Sequence, residues 1–178
     1  APTSTYADAQ LDDGRGRARS RLLHAPPTRL TLEARASSAS PAGTLGFGFW
    51  NDPFPTWAGE AGARRTFPAS PRAVWFFHAS PPSQLPFAPD GPQAGWTAAA
   101  YRGPAVAPIL LAPVALAGAA GMLAPPLRSP LMRLYWRIFT GRQSGPLGGL
   151  DSWHAYRIDW LEEGVRFFVD DRPVLEAA

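Results

Sequence analysis

The side chains that most often do chemistry are few and widely spaced in this 178-residue chain. It has three histidines (His24, His78 and His154) and no cysteine, so ligand spacing typical of a metal site is absent and thiol catalysis is excluded. No glycine-rich phosphate loop or nucleophile-elbow serine occurs. The pair Asp170-Asp171 could bind Ca²⁺, but Arg172-Pro173 follows directly, which favours a turn between strands. We therefore predict no metal and no cofactor.

Aromatic residues are the second group that could contact a ligand, because tryptophan rings form flat platforms as well as core packing. In a strand over Thr44–Trp50, Gly46 and Gly48 would share a face with Trp50 and leave a shallow trough with an aromatic end. Polar residues beside such a ring could bind the hydroxyls of a sugar. The alternative is that the glycines relieve crowding and the tryptophans are core. The candidate binding residues are Trp50, Asn51, Asp52, Trp57, Trp75 and Trp96.

The composition predicts one all-β domain. Hydrophobic residues make up 46% of the chain, which excludes disorder, and 21 prolines with 17 glycines favour short strands joined by turns. The net charge is +3, and all 17 basic residues are arginine. Arg15, Arg17, Arg19 and Arg21 alternate, which favours a solvated strand face over an anionic partner. No basic run with interleaved aromatic residues occurs, so we predict no nucleic-acid partner.

Hydrophobic alternation places the strands along the chain. The segment Arg72–Ala79 is nearly all apolar, which predicts burial on both faces. Alternation puts His78 opposite Trp75 and Phe77, so these side chains cannot all line one trough. The predicted strands are Arg17–Leu23, Thr28–Ser37, Thr44–Trp50, Arg72–Ala79, Ala94–Tyr101, Trp153–Trp160 and Val165–Val169.

An apolar or helical insertion is predicted over residues 103–140. Residues 103–127 are uncharged, which raises the possibility of a membrane span, but internal prolines and many alanines and glycines disfavour it. Ser129-Pro130 resembles an N-cap with proline at the first helical position, and Gly141 would end the helix. Its apolar face would hold Leu131, Leu134, Tyr135 and Ile138. The helix either docks on a sheet edge or contacts a membrane surface or protein through Arg133, Trp136 and Arg137.

The clearest local pattern is a hairpin, in which Trp153–Trp160 and Val165–Val169 are joined by Leu161–Gly164. If Trp160 faces Val165, the register places Asp159 opposite Arg166 on the outer face. A slip of one residue would move the apolar set into solvent, so the register is well specified. The residues predicted to be buried are Tyr156, Ile158, Trp160, Val165 and Phe167.

This hairpin, with its Trp-His opening, its Asp-Trp ending and the following Phe-Val-Asp, resembles a late hairpin of family 16 glycoside hydrolases and related concanavalin-like domains. Gly43–Trp50 also resembles a strand of that family, and the two blocks cover about half the chain. The resemblance implies an antiparallel jelly-roll β-sandwich, a poly- or oligosaccharide ligand and an extracytoplasmic location. Such sandwiches usually continue further, so we expect residues 1–178 to form a single domain incomplete at its C-terminus. We expect an exposed sheet edge or an uncovered apolar patch beside the strands nearest residues 29–37 and 165–169.

The chain departs from that family at the catalytic carboxylates. The family carries its nucleophile and its acid/base on one strand, where alternation sets two carboxyl groups about 5–5.5 Å apart. The strand expected to carry them, Arg72–Ala79, has no acid, and the only acids between residues 53 and 150 are Glu60 and Asp90. We therefore expect a non-catalytic glycan-binding domain. The alternatives are a hydrolase with acids placed elsewhere, such as Asp52 and Asp159, and a protein- or membrane-interaction domain that uses residues 103–139.

We predict that the protein does not cleave ordinary β-glucans, because the predicted strand lacks the acid pair. Incubation with laminarin or lichenan should release no reducing sugar above a blank without protein. Steady release of reducing sugar that disappears in the Asp52→Asn or Asp159→Asn variant would contradict this prediction.

Overall fold

The structure, a computed structural model, describes residues 22–51, 70–82, 86–104 and 125–178, together with residues 9, 11 and 13. These residues form two four-stranded antiparallel sheets that pack face to face as a β-sandwich, with one helix. The elements are β1 (Thr28–Ala34), β2 (Thr44–Trp50), β3 (Arg72–Ala79), β4 (Gly95–Arg102), α1 (Pro125–Ile138), β5 (Thr140–Gln143), β6 (His154–Trp160), β7 (Val165–Val169) and β8 (Arg172–Ala177).

The first sheet has the strand order β1-β6-β7-β8. The predicted hairpin forms its centre: Trp160 pairs with Val165, Ile158 with Phe167 and Tyr156 with Val169. Leu30 of β1 pairs with Ile158, so the inner faces of three strands meet as one apolar layer. The register predicted for the hairpin is confirmed, and all five residues predicted to be buried lie in the core.

The second sheet has the order β2-β3-β4-β5. Phe47 of β2 pairs with Phe76 of β3, which in turn pairs with Ala98 of β4. His78 lies on this inner face, where one ring nitrogen is 3.0 Å from the carbonyl oxygen of Pro41. Trp75 projects to the opposite, outer face, so the sequence prediction that these two side chains separate is confirmed.

The two sheets are joined by aromatic packing. Phe76 and Phe167 are fully buried, and their rings meet edge to face with centroids 5.4 Å apart. Phe47, Trp96 and Tyr156 surround Phe76 at centroid distances of 5.0–5.8 Å. Edge-to-face pairs of this kind stabilise a core by about 0.5–1.5 kcal/mol each beyond the buried area.

The outer face of the first sheet is charged. Asp159 aligns with Arg166 as predicted, but its carboxylate binds elsewhere: it accepts hydrogen bonds of 2.5 and 3.1 Å from Arg29 on β1. Arg166 instead donates to Glu176 on β8 at 3.0 Å. The predicted strand pairing is therefore correct. The ion pairs form with the outer strands instead: Asp159 of β6 binds β1, and Arg166 of β7 binds β8.

The helix differs from its prediction at the start and in its buried face. It begins at Pro125, so Ser129 is not the N-cap and Pro130 lies inside the helix. Pro125 and Pro126 occupy the first turn of the helix. The N–H groups of a first turn have no intrahelical acceptor, so a proline there costs no helical hydrogen bond. Leu134, predicted to face the protein, is 48% exposed. Tyr135 and the buried Phe139, which follows the helix, stack with centroids 4.2 Å apart, and both rings stack on Tyr101 of β4.

Residues after the Asp170-Asp171 turn form a strand that is absent from the strands predicted by the sequence analysis. Both aspartates have positive φ, 48° and 61°, as a tight turn requires, and β8 follows at once. The predicted edge beside residues 165–169 is therefore wrong, because β7 lies between β6 and β8, while β1 is an edge strand. Residues 17–21 of the predicted strand Arg17–Leu23 and residues 105–124 lie outside the described residues, and Leu22 and Leu23 are not part of a strand. No helix in the described ranges is long and apolar enough to cross a membrane.

Candidate functional site

The glycine–aromatic face is the outer face of the second sheet, formed by Gly46, Gly48, Trp50, Trp75 and Phe77. Register places Gly46 beside Phe77 and Gly48 beside Trp75. The ring of Trp75 stacks on Phe77 with centroids 4.7 Å apart and lies 5.0 Å from the ring of Trp50. Trp50 is 40% exposed, whereas Trp75 is only 8% exposed. The surface is therefore a packed aromatic row in which Trp50 is the most exposed ring.

The two glycines are required by close backbone approach. A Cβ atom on Gly46 would lie 2.5 Å from the carbonyl oxygen of Phe76. A Cβ on Gly48 would lie 2.5 Å from Cα and 2.7 Å from Cβ of Trp75, and Gly48 has a φ of +145°, which L-residues rarely adopt. The alternative weighed for these glycines, relief of crowding, therefore holds, and no deep trough forms over them.

A loop closes the far side of this face. Phe87 packs edge to face on Trp75 and Phe77, with centroids 5.3 and 5.1 Å away. Gln143 of β5 fixes the loop: its side-chain oxygen accepts a hydrogen bond from the Phe87 N–H at 2.9 Å, and its amide nitrogen donates to the carbonyl oxygen of Pro92 at 3.1 Å. Trp75 is therefore enclosed, and a ligand would reach the aromatic row at Trp50.

The other predicted binding residues divide between structural roles and undescribed positions. Asn51 is structural: its side chain donates to the carbonyl oxygen of Ser70 at 2.8 Å and accepts from the N–H of Arg72 at 2.9 Å, which fastens the end of β2 to the start of β3. Trp96 is a core residue on the inner face. Asp52 and Trp57 lie outside the described residues.

The one described acid that was considered for a displaced hydrolase site is engaged in ion pairs. Asp159, one of the two acids weighed for a displaced hydrolase site, is held by Arg29 and lies 3.5 Å from the Nε of Arg157. Both oxygens of the Asp159 carboxylate accept hydrogen bonds from the Arg29 side chain, which is the geometry of a structural ion pair between β1 and β6. No group of three or more His, Asp or Glu residues that could hold a metal ion occurs among the described residues.

A second ionic group lies where β6 begins. Nδ1 of His154 is 2.6 Å from a carboxylate oxygen of Asp170, and the N–H of Ala155 donates to the other oxygen at 2.9 Å. These two hydrogen bonds, the one with His154 first, hold the pKa of Asp170 below its usual range. The Asp170 carboxylate thus stays charged and ties the β7–β8 turn to β6.

The sequence analysis assigned no ligand to the first sheet, yet a cleft of about 310 Å³ opens between β1 and β6 on its outer face. Alternation alone indicates that Thr31, Glu33, Ala155 and Arg157 point outward from their own strands. These side chains come together only because β1 pairs with β6. The two strands are more than a hundred residues apart in the sequence, so no local pattern predicts this pairing.

Comparisons with family models, with curated proteins and with solved structures find no match to this chain.

Crowding at Gly48 yields a stability prediction. Gly48→Ala should lower the free energy of unfolding by about 1–3 kcal/mol, because the new methyl group must displace Trp75 or the β3 backbone. The control is Gly145→Ala, since a Cβ there meets nothing within 4 Å. Urea unfolding of both variants measures the difference, and equal stability of the two would show that the close approach of β2 to β3 is not as described.

Proposed function

We propose that this domain binds a poly- or oligosaccharide without hydrolysing it, with Trp50 as the principal contact on the second sheet. The observation that carries the proposal is the position of Trp50: the residue is 40% exposed at one end of the glycine–aromatic face, and its ring centroid lies 5.0 Å from that of the buried Trp75. A ring held against a fixed neighbour loses little conformational freedom when a ligand stacks on it, which favours binding.

The surroundings of Trp50 support a shallow contact for a sugar ring. Gly48 adds no side chain beside it, and Asn51 holds the adjacent strand ends together. The C–H groups of a pyranose can pack on the indole face, while its hydroxyl groups remain at the edge of the sheet, in water or on nearby polar groups. An open, partly hydrated contact of this kind suits one ring of a longer chain.

Two features favour binding over hydrolysis. β3 carries no acid in its whole length, Arg72–Ala79, and Asp159 is engaged with arginines. A retaining glycosidase needs two carboxyl groups about 5–5.5 Å apart and an inverting one about 6.5–9.5 Å apart. We propose further that the sandwich is a jelly-roll related to family 16 glycoside hydrolases, and the hairpin of β6 and β7 supports this relationship.

The proposal predicts that Trp50→Ala weakens polysaccharide binding about tenfold while the protein remains folded, because one stacking contact is removed from an exposed position. Affinity gel electrophoresis in laminarin, lichenan and xylan measures binding, and thermal unfolding checks the fold. Leu134→Ala, a truncation at an exposed site on the helix, is the control and should bind as the unmodified protein does. Unchanged binding by Trp50→Ala would remove Trp50 from the site, and loss of folding would identify it as a core residue.

A second candidate function is contact with an anionic lipid surface through the helix. Pro130, Arg133, Leu134 and Arg137 are all exposed and recur at helical spacing along one face. Two guanidinium groups beside an exposed leucine suit the boundary between lipid headgroups and acyl chains. Trp136, the third residue predicted for such a contact, packs edge to face on Tyr101 with centroids 6.2 Å apart, so it supports the helix from the protein side.

This second candidate predicts charge-dependent vesicle binding. The protein should co-sediment with vesicles of phosphatidylglycerol and phosphatidylcholine, but not with pure phosphatidylcholine. The Arg133→Gln/Arg137→Gln variant should lose most of this binding, because each juxtamembrane arginine contributes about 1 kcal/mol. Arg166→Gln, on the first sheet, is the matched control. Equal binding to both vesicle types, or by both variants, would exclude a lipid contact through this helix face.

A further inference from the structure

The cleft on the outer face of the first sheet is built around a small residue. Ala155 of β6 forms its floor, opposite Glu33 in the β1–β6 ladder, and Thr31 lies opposite Arg157 one step further along. Longer side chains on all sides of an alanine leave the opening of about 310 Å³, which is at the small end of the range of about 300–1,000 Å³ for ligand sites. The seven lining residues, called here the β1–β6 cleft, are Thr31, Leu32, Glu33, Ala155, Tyr156, Arg157 and Asp171.

One wall of the β1–β6 cleft is held rigid by contacts on three sides. The guanidinium of Arg157 donates to Asp171 at 2.6 Å, lies 3.5 Å from Asp159 and sits over the ring of Phe168 at 4.0 Å from its centroid. Arg157 is therefore fixed before any ligand arrives, which lowers the entropic cost of using it as a hydrogen-bond donor.

The charges lining the β1–β6 cleft favour an uncharged ligand over an anionic one. Arg157 is already paired with Asp171, and Glu33 has no ion-pair partner among the described residues. The lining thus holds two carboxylates and one guanidinium, with the hydroxyl of Thr31 beside them. Carboxylate acceptors, a guanidinium donor and a hydroxyl match the hydroxyl groups of a neutral sugar, whereas a uronate would meet the unpaired carboxylate of Glu33.

An exposed tryptophan lies directly beyond this cleft. The β1–β6 ladder ends at the pair Ala34 and His154, and the next residues along the two strands are Arg35 and Trp153. Trp153 is 63% exposed, the most exposed tryptophan among the described residues, and the guanidinium of Arg35 lies 5.3 Å from its ring centroid. Strand alternation puts Trp153 on the side of Ala155, so an aromatic platform adjoins the polar cleft.

We propose that the β1–β6 cleft with Trp153 is a second saccharide-binding site, separate from Trp50, that accepts one neutral pyranose ring over Ala155 and stacks the next ring on Trp153. This inference rests on the proposed function for its ligand class, since it assigns a further site and a charge preference to the same activity. The two sites lie on the outer faces of opposite sheets, so one domain could cross-link two glycan chains.

The test uses isothermal titration with cellohexaose, laminarihexaose, xylohexaose and hexagalacturonate. Trp50→Ala serves as the reference protein, so that any remaining binding reports on the first sheet. In that background, Trp153→Ala removes the platform and Ala155→Leu fills the floor of the cleft. Glu162→Ala, at an exposed position in the β6–β7 turn at the opposite end of β6 from Trp153, is the control. We expect the reference to retain binding of at least one neutral hexasaccharide, and each of the two cleft variants to weaken it about tenfold or more. Hexagalacturonate should bind more weakly than the neutral ligand. Glu33→Gln should reduce the difference between the two affinities, because it removes the unpaired carboxylate.

The outcomes separate the inference from the proposed function. If Trp50→Ala alone abolishes binding, or if both cleft variants bind as the reference does, the second site is overturned while saccharide binding at Trp50 stands. If the unmodified protein binds none of the four ligands and no polysaccharide, both the second site and the proposed function are contradicted. Thermal unfolding of each variant confirms that lost binding is not lost folding. Preferential binding of hexagalacturonate by the reference would overturn the assignment of a neutral sugar.

Discussion

The packing of Phe76 against Phe167 is the interaction on which the rest of this structure depends. It joins the central strands of two sheets, and each sheet must bury one apolar face to be stable in water. Because side chains alternate along every strand, this requirement assigns Phe47, Trp96 and Tyr156 to the core and leaves their neighbours on the two outer faces. Any ligand site built on strand residues must therefore lie on an outer face, since the space between the sheets is filled.

The two outer faces of the sandwich are adapted to contact with water in different ways. On the second sheet, Trp75 and Phe77 would be an apolar patch in water, and Phe87 packs on both of them, so that Trp50 is the most exposed of these four rings. On the first sheet, ion pairs such as Arg29 with Asp159 allow the face to remain hydrated, and Ala155 leaves a cleft between longer side chains. One face thus offers an aromatic contact and the other a polar cleft beside an aromatic ring, two surfaces suited to the same class of ligand.

The sequence predicts the strands well because their hydrophobic patterns are local. β2, β3 and β7 have the bounds expected from alternation, and the β6–β7 register follows from matching two short apolar sets across a four-residue connection. The candidate site was predicted less completely. Trp50 and Trp75 were both named as candidate binding residues, and they do share a face. The packing of Phe87 on Trp75 depends on Gln143, and the β1–β6 cleft depends on strands distant in the chain, so neither could be predicted from a local pattern. The start of α1 was missed because Pro130 resembles a first-turn proline although Pro125 and Pro126 precede it.

The central claim, that ligands contact the outer faces and not the core, is tested most directly by the indole N–H resonances of the tryptophans. A ¹⁵N-labelled sample titrated with a neutral hexasaccharide should show saturable shifts for Trp50 and Trp153, assigned through the Trp50→Ala and Trp153→Ala variants. The resonances of Trp96 and Trp160, which lie in the core, should move little. Shifts confined to Trp96 and Trp160, or no saturable shift at either exposed tryptophan, would contradict the account.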